Sequence, residues 1–163
     1  MWFTAAITFL ILQRLAELLV AKRNEKWLLS HGAVEYGAGH YPWMVALHTA
    51  FILSLVTEYL LKGAALPNYF LLILYLLILV LKVIVLSSLG KYWNTKIYRI
   101  SGAAPVRQGI YKYLRHPNYI IVILEIAIIP LIFQLYITAV AFTILNALML
   151  SVRIKEENKA WEQ

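Results

Sequence analysis

The sequence contains no cysteine and no aspartate, and only 14% of its 163 residues carry a charged side chain. The absence of cysteine excludes disulfides, thiolate nucleophiles and thiolate metal ligands. Four histidines are present, but their spacing matches no metal-binding pattern such as His-Glu-x-x-His. With no aspartate to complete a ligand set, we expect no zinc or di-iron site.

Apolar residues are abundant, at 62% of the chain, whereas soluble domains hold roughly 45–50%. Bilayer-spanning helices need about 20 apolar residues, and apolar runs of this kind occupy residues 2–21, 42–61, 68–89 and 118–152. The last run is divided near Pro130 and Gln134. We therefore predict an all-α, polytopic membrane helix bundle of about five crossings, ending in a membrane hairpin. Residues 1–163 are expected to form a single domain.

The first apolar run could be mistaken for a secretory signal peptide. However, Arg14 and Glu17 interrupt it, it lacks a basic start, and no small-residue cleavage pattern follows. We interpret it as a retained membrane helix.

The formal net charge is +7, and 12 of the 15 lysines and arginines fall within residues 22–26, 91–115 and 153–159. An odd number of crossings places these three segments on one face, as the positive-inside rule requires. We expect the N-terminus outside and the C-terminus in the cytosol, in a bacterial inner membrane. We attribute the positive charge to contact with anionic membrane lipids and expect no nucleic-acid partner.

Ionisable side chains inside a membrane are costly and usually face the bundle interior. Arg14 and Glu17 lie three residues apart on one helix and can pair with each other. Glu58 and Lys82 lie near the ends of their runs, so we expect them to extend toward the membrane surface. Glu125 has no nearby cation in the sequence and needs a partner from elsewhere in the fold, which favours a functional role.

The densest signal is a basic and aromatic segment, residues 109–119, that enters the last apolar run at Pro117. Arg115 and His116 precede a helix N-terminus, where free N–H groups suit an anion. Glu156 and Glu157 in the tail can bind ribose hydroxyls or a cationic centre. A basic belt that anchors to lipid head groups is the alternative. Residues 97–99 and 106–107 are predicted to pair as a short hairpin.

The ordered motif Gly-x-Tyr-x-x-x-Arg-His-Pro-x-Tyr, followed by Arg-Ile and a Glu-Glu pair, resembles the isoprenylcysteine carboxyl methyltransferase family. Phosphatidylethanolamine methyltransferases share it more loosely. The resemblance covers about residues 89–163 and implies S-adenosylmethionine as cofactor, bound in a cytosol-facing pocket. It also implies a lipophilic substrate that enters from the bilayer. The cofactor-binding residues that it implies are Gly109, Tyr111, Arg115, His116, Pro117, Tyr119, Arg153, Glu156 and Glu157.

The expected reaction is O-methylation of an isoprenylcysteine-type carboxylate or of a hydroxyl on a long-chain pyrone or phenolic lipid. Glu125, as base or substrate orienter, and Arg115 are the catalytic candidates, and Glu58 is the second choice for the base. A Rossmann site is not available, because the sequence has no Gly-x-Gly-x-x-Gly. N-methylation of a phospholipid amine and a non-catalytic transporter or lipid-binding protein remain alternatives.

Overall fold

Five α-helices make up most of the computed structural model, which describes residues 1–63 and 65–162. They are α1 (Trp2–Ser30), α2 (Tyr41–Lys62), α3 (Tyr69–Leu89), α4 (Pro117–Ile132) and α5 (Tyr136–Glu162). Within the described residues, α1, α2, α3 and α5 are long and apolar enough to cross a bilayer, whereas α4 is shorter, at 16 residues. The predicted all-α membrane helix bundle and its C-terminal hairpin, α4 and α5, are confirmed.

The helix ends follow from local chemistry. Pro117 starts α4, since its fixed φ suits a first helical turn, and the Asn68 side chain accepts a hydrogen bond from the Leu71 N–H to cap α3. Helix α1 continues to Ser30, well beyond the apolar run that predicts it. Its polar extension is held by Asn24, whose side-chain amide donates to the backbone oxygen of Trp93 at 2.7 Å.

The bundle is held by contacts of α4 with α3 and α5, and of α5 with α2. Leu55, Ile126 and Leu135 are fully buried in this core. The outer helix faces are apolar as well: Phe70 is 74% exposed and Val83 is 67% exposed. In water this pattern would be unfavourable, but lipid solvates such faces, so the protein is an integral membrane protein.

One end of the bundle is closed by aromatic packing and a helix cap. The rings of Phe3 and Tyr59 stack with centroids 3.7 Å apart. Beside them, the Glu58 carboxylate accepts hydrogen bonds from the backbone N–H groups of Ile137 at 3.2 Å and Thr138 at 2.7 Å. Glu58 therefore caps the N-terminus of α5, where a negative charge is favourable. Its side chain is partly exposed at this end of the bundle, and its position at the membrane surface stays a prediction.

The opposite end carries a two-stranded antiparallel sheet of β1 (Ala33–Tyr36) and β2 (Ile97–Ile100), with Ala33 opposite Ile100. The predicted pairing of residues 97–99 with 106–107 is wrong, because β1 is the partner of β2. The Tyr98 hydroxyl donates to Glu25 at 2.6 Å and to Glu35 at 3.1 Å. These bonds attach β2 to both α1 and β1.

The sheet draws the three basic segments of the chain together. Strand β1 follows the polar end of α1, β2 belongs to the connection between α3 and α4, and Arg99 of β2 donates to the backbone oxygen of Ala160 near the end of α5. We call this part of the molecule the basic end.

Candidate functional site

A cavity of about 830 Å³ opens at the basic end, and we call it the loop cavity. Its volume falls within the roughly 300–1,000 Å³ of small-molecule sites. The walls come from β2, from the loop before α4 and from the last turns of α5. The lining side chains used below are Tyr98, Arg99, Tyr111, Arg115, His116, Glu157 and Trp161.

Gly109 holds the loop before α4 against the end of α3. Its φ is +52°, and a Cβ there would lie 2.5 Å from the Ser88 hydroxyl, so a larger residue does not fit. The turn that follows brings Tyr111 to the cavity wall. The Tyr111 hydroxyl is buried with no hydrogen-bond partner among the described residues. Burial, together with the charge of Glu157, raises the pKa of Tyr111, so this phenol stays uncharged.

At the start of α4, three side chains converge on the Tyr119 hydroxyl and ring. The hydroxyl donates to the Glu157 carboxylate and accepts from Arg153 Nε at 3.0 Å. The His116 ring stacks on the Tyr119 ring with centroids 5.1 Å apart, and its Nδ1 lies 3.6 Å from Glu157 Oε2. The motif before α4 and the tail of α5 therefore form one polar cluster.

His116 is neutral in this cluster at neutral pH. Burial lowers its pKa below the ordinary value, and the positive charge of Arg115 lowers it further, while Glu157 opposes both. The imidazole therefore does not cancel the charge of the Glu157 carboxylate, which stays available to a ligand in the loop cavity.

Two further arginines fix the end of α5 beside the cavity. Arg115 donates to the Asn158 side chain at 2.9 Å, and the Arg99 guanidinium lies over the Trp161 ring at 4.9 Å. A cationic group and a flat aromatic surface thus lie side by side on the cavity wall.

A second cavity, of about 200 Å³, lies between the helices and is mostly apolar; we call it the interhelical cavity. All five helices contribute to it. A smaller cavity of about 120 Å³ shares Tyr111, Arg115, His116 and Glu157 with the loop cavity, and the name loop cavity includes it below. The residues that this smaller cavity shares with the interhelical cavity, which we call the shared wall, are Trp93, Asn94, Asn118, Tyr119 and Arg153. A ligand in either cavity can therefore contact this shared wall.

Arg153 is the hub of the shared wall. It is 6% exposed, and besides Tyr119 it donates through Nη1 to the Thr95 backbone oxygen at 2.5 Å and to Met44 Sδ at 3.1 Å. Its guanidinium thus connects α5 to α4, α2 and the loop after α3. A planar, always-charged fork suits this role better than a lysine would.

Four charged residues form a cluster deeper in the bundle, which we call the ion cluster: Arg14, Glu17, Lys82 and Glu125. Lys82 Nζ lies 3.0 and 2.9 Å from the two oxygens of Glu125 and also contacts Glu17. Arg14 contacts Glu17 at 2.8 Å and Glu125 at 3.2 Å. The pairing of Arg14 with Glu17 is confirmed. The expected extension of Lys82 to the membrane surface is wrong, because Lys82 is 5% exposed and turned toward Glu125.

A sequence model described as the isoprenylcysteine carboxyl methyltransferase (ICMT) family matches residues 70–163, more than half of the chain. The chain belongs to the isoprenylcysteine carboxyl methyltransferase family. The matched region contains the loop cavity, the shared wall and Lys82 and Glu125 of the ion cluster.

Two relatives extend over nearly the whole chain. The Bacillus subtilis (strain 168) protein YpbQ is 44% identical over 99% of this chain and 97% of its own length. A Haemophilus influenzae protein is 30% identical over 90% of this chain and 87% of its own length. Both are described as uncharacterized. No solved structure gives a significant match. Family membership makes the chain a membrane methyltransferase, and the relatives name no substrate.

The structure brings six of the residues implied by the family resemblance to the cavity walls: Tyr111, Arg115, His116, Tyr119, Arg153 and Glu157. Gly109 and Pro117 shape the backbone instead. Glu156 is turned away, with its Cβ beside Gly37 and its carboxylate paired with Lys159. Glu125 lies about 12 Å along α4 from Pro117, at 1.5 Å per residue, and belongs to the ion cluster.

The sequence analysis did not single out Arg99, Trp161 or the contribution of the N-terminal half. Arg99 and Trp161 lie within or near aromatic and basic stretches, and this composition was the only local feature that could have identified them as site residues. For Met44 and His48, which line the interhelical cavity, the sequence offers no local signal, since both lie inside an apolar run.

Proposed function

We propose that this ICMT-family protein is an S-adenosylmethionine-dependent O-methyltransferase acting on a lipophilic substrate from the bilayer. The acceptor would be an isoprenylcysteine-type carboxylate or a hydroxyl of a long-chain pyrone or phenolic lipid. The observation that carries the proposal is the shared wall, where Tyr119 and Arg153 face both the loop cavity and the interhelical cavity.

The residues of the loop cavity fit S-adenosylmethionine. Arg115 can bind its carboxylate, Glu157 its ribose hydroxyls or its positive charges, and Trp161 its adenine ring. The buried Tyr111 hydroxyl, which lacks a partner among the described residues, is a polar group that such a ligand can satisfy after a small rotation.

Bound S-adenosylmethionine supplies a methyl group on a positively charged sulfur. The protein's part is to align the acceptor and to keep water away from the shared wall. Tyr119 is positioned by Glu157 and Arg153, so its ring and hydroxyl form a fixed surface between the cavities. Arg153 places a buried positive charge where an acceptor oxygen would develop or carry negative charge.

The charge of the shared wall favours an oxygen acceptor over an amine. Arg153 would repel a protonated amine, whereas it attracts a carboxylate or a phenolate. This argues against N-methylation of a phospholipid amine. A protein that only binds or transports lipid would not need a second, polar cavity on the other side of the same wall.

Of the two catalytic candidates, Arg115 lines the loop cavity and is proposed to bind the cofactor. Glu125 is fully buried and its oxygens are occupied by Lys82, Arg14 and Gln13. We assign Glu125 a positioning role, since it holds Arg14 and Lys82 at the wall of the interhelical cavity.

The basic end is proposed to face the cytosol of a bacterium, where S-adenosylmethionine is available and where positive loops are retained. A chain without cysteine suits single-cysteine labelling with a membrane-impermeant maleimide. Ser101→Cys, in an exposed loop at the basic end, should react only from the cytosolic side, and Leu66→Cys, which is exposed at the opposite end, only from outside. The reverse pattern would refute this orientation.

The proposed function is tested first by calorimetric binding of S-adenosylmethionine to detergent-purified protein. We expect saturable binding by the unchanged protein, and a weakening of roughly tenfold or more in Glu157→Ala, which removes hydrogen bonds to a charged group. His116→Ala, which removes the stacking partner of Tyr119, should also weaken binding. Glu35→Ala is the matched control, because this carboxylate lies at the sheet and outside both cavities.

Transfer is tested with methyl-labelled S-adenosylmethionine and a bacterial lipid extract. Label should enter the lipid fraction with the unchanged protein and fall with Glu157→Ala. If the folded protein does not bind S-adenosylmethionine, the cofactor assignment is wrong, and lipid binding without catalysis becomes the leading function. If it binds but labels an amine lipid, the acceptor assignment is wrong.

A further inference from the structure

His48 lies on α2 with one ring nitrogen committed and the other free. Nδ1 is 2.8 Å from the backbone oxygen of Met44, one turn earlier on the same helix. A carbonyl oxygen can only accept, so Nδ1 carries the hydrogen and the Nε2 lone pair is unshared. Nε2 makes no hydrogen bond with the described residues, and these residues do not bury it completely.

The imidazole is part of the interhelical cavity wall and lies close to the shared wall. Met44, whose carbonyl oxygen orients His48, also contacts Arg153 through its sulfur at 3.1 Å. His48 is four residues further along α2, about 6 Å deeper in the bundle. An acceptor group that extends from the shared wall into the interhelical cavity would meet the wall to which His48 belongs.

We propose that His48 is the general base for methyl transfer and that the acceptor is a lipid with a weakly acidic, un-ionised hydroxyl. This inference rests on the proposed function and chooses between its two acceptor classes. A carboxylate is ionised at neutral pH and needs no base, whereas a phenolic or enolic hydroxyl must lose a proton.

The step balances with groups already named. The hydroxyl O–H bond breaks and its proton passes to His48 Nε2. The oxygen forms a bond to the methyl carbon, and the bond from that carbon to sulfur breaks with its electron pair remaining on sulfur. The imidazolium then releases the proton to water after the methylated lipid has left.

Charged groups around His48 suit this role. Arg14 and Glu17 of α1, Lys82 of α3 and Arg153 of α5 all line the same cavity, and Glu125 of α4 lies behind them in the ion cluster. The ion cluster contains two positive and two negative groups, and Arg153 adds a positive charge to the cavity wall outside that cluster. That charge stabilises the developing oxyanion.

The first experiment needs no turnover. A ring-nitrated long-chain alkylphenol, whose phenolate absorbs visible light, is bound to cofactor-free protein in detergent and titrated with pH. The acid ionisation constant of the bound phenol should be roughly tenfold larger in the unchanged protein than in His48→Gln, because an imidazolium forms beside the phenolate. Equal ionisation in both proteins would overturn the proposal.

The second experiment compares two acceptors with the same alkylphenol scaffold in the methylation assay. The un-nitrated alkylphenol has a pKa of about 10, like tyrosine, whereas the dinitrated analogue is already ionised at neutral pH. His48→Gln should lower kcat/KM about 100-fold for the first acceptor and less than about threefold for the second. Equal losses for both acceptors would show a structural role, and no loss for either would show no role.

Controls separate this inference from the proposed function. His31→Gln makes the same chemical change at an exposed histidine beside Trp27, outside both cavities, and should leave both measurements unchanged. His48→Gln should retain its affinity for S-adenosylmethionine, and this retained binding also shows that the variant folds. If His48→Gln does not fold, His48→Asn takes its place. A protein that methylates a carboxylate lipid but neither phenol refutes the base while leaving the methyltransferase assignment intact.

Discussion

The loop cavity and the interhelical cavity meet at Arg153, yet they are built by different means. Side chains of the loop cavity come mostly from the connection between α3 and α4, which includes β2, with Glu157 and Trp161 added by the last turns of α5. The interhelical cavity draws its residues from all five helices. Changes in the first should act locally on ligand binding, whereas changes to the ion cluster beside the second should act through helix packing. The comparison therefore separates affinity from stability.

The largest effect on stability is expected from changes to the ion cluster, which lies beside the interhelical cavity. Glu125→Ala leaves Lys82 and Arg14 with only Glu17 as a partner in a buried site, and removal of one member of a buried ion pair costs about 3–5 kcal/mol. Chemical unfolding in detergent micelles measures the free energy of unfolding.

A double change provides the control for this prediction. Glu125→Met combined with Lys82→Met removes one charge of each sign and should recover most of the lost stability. If the double variant is less stable than Glu125→Ala, the four charges do not act as a neutral cluster.

A change at the shared wall should affect both cavities together. Arg153→Lys keeps the charge but loses the planar fork that bonds Tyr119 and Thr95, at a cost of about 2 kcal/mol. Both S-adenosylmethionine affinity and methyl transfer should fall. Arg115→Lys is the matched change, because Arg115 faces only the loop cavity; it should reduce affinity without a separate loss of transfer at saturating cofactor. Equal profiles for the two variants would mean that the cavities do not communicate through Arg153.

The free energy of unfolding should also depend on pH through His116 of the loop cavity, and this effect should be smaller than the two above. The folded protein holds His116 with a lowered pKa, so above the ordinary histidine value of about 6.5 both folded and unfolded chains are neutral at this site. As pH falls below that value, the unfolded chain binds the proton first and the fold loses stability. Unfolding measured between pH 7.5 and 5 should show a decline that is shallower in His116→Gln. An identical decline in both proteins would show that groups other than His116 cause the loss of stability.

The smallest effect is expected at Glu156. The resemblance to the family implies a cofactor role, whereas the structure turns the side chain toward Gly37 and Lys159. Glu156→Ala should change S-adenosylmethionine affinity by less than about twofold, in contrast to Glu157→Ala. Equal losses in the two variants would show that the end of α5 rotates when the cofactor binds.

The sequence motif pointed to Tyr111, Arg115 and His116, which line the loop cavity, because they lie close together along the chain, whereas Arg99 and Trp161 lie outside the motif. It could not distinguish Glu156 from Glu157, since successive helical residues differ by about 100° in direction and the packing partner decides which one faces the cavity. That partner is Gly37, in a connection more than a hundred residues away.

The bundle core and the sheet were harder to predict for the same reason. Lys82 lies near the end of an apolar run, which by itself indicates extension toward the surface, and its true partner Glu125 is 43 residues further along. Likewise, β2 pairs with β1 across α2 and α3, although a nearer segment offered a plausible strand. In each case a long-range partner overrides the local preference, and a single sequence does not identify that partner.

The ion cluster also has a consequence for membrane insertion. Helix α1 carries both signs of charge, so Arg14 and Glu17 can neutralise each other while α1 enters the bilayer alone. Helix α3 has no such internal partner for Lys82, and a lone lysine inside a membrane helix costs up to roughly 2.5–3.5 kcal/mol on insertion. That cost is relieved once Glu125 of α4 or Glu17 of α1 reaches it. The ion cluster therefore makes stable insertion of α3 depend on its neighbours, so the central helices are expected to leave the insertion machinery as a group.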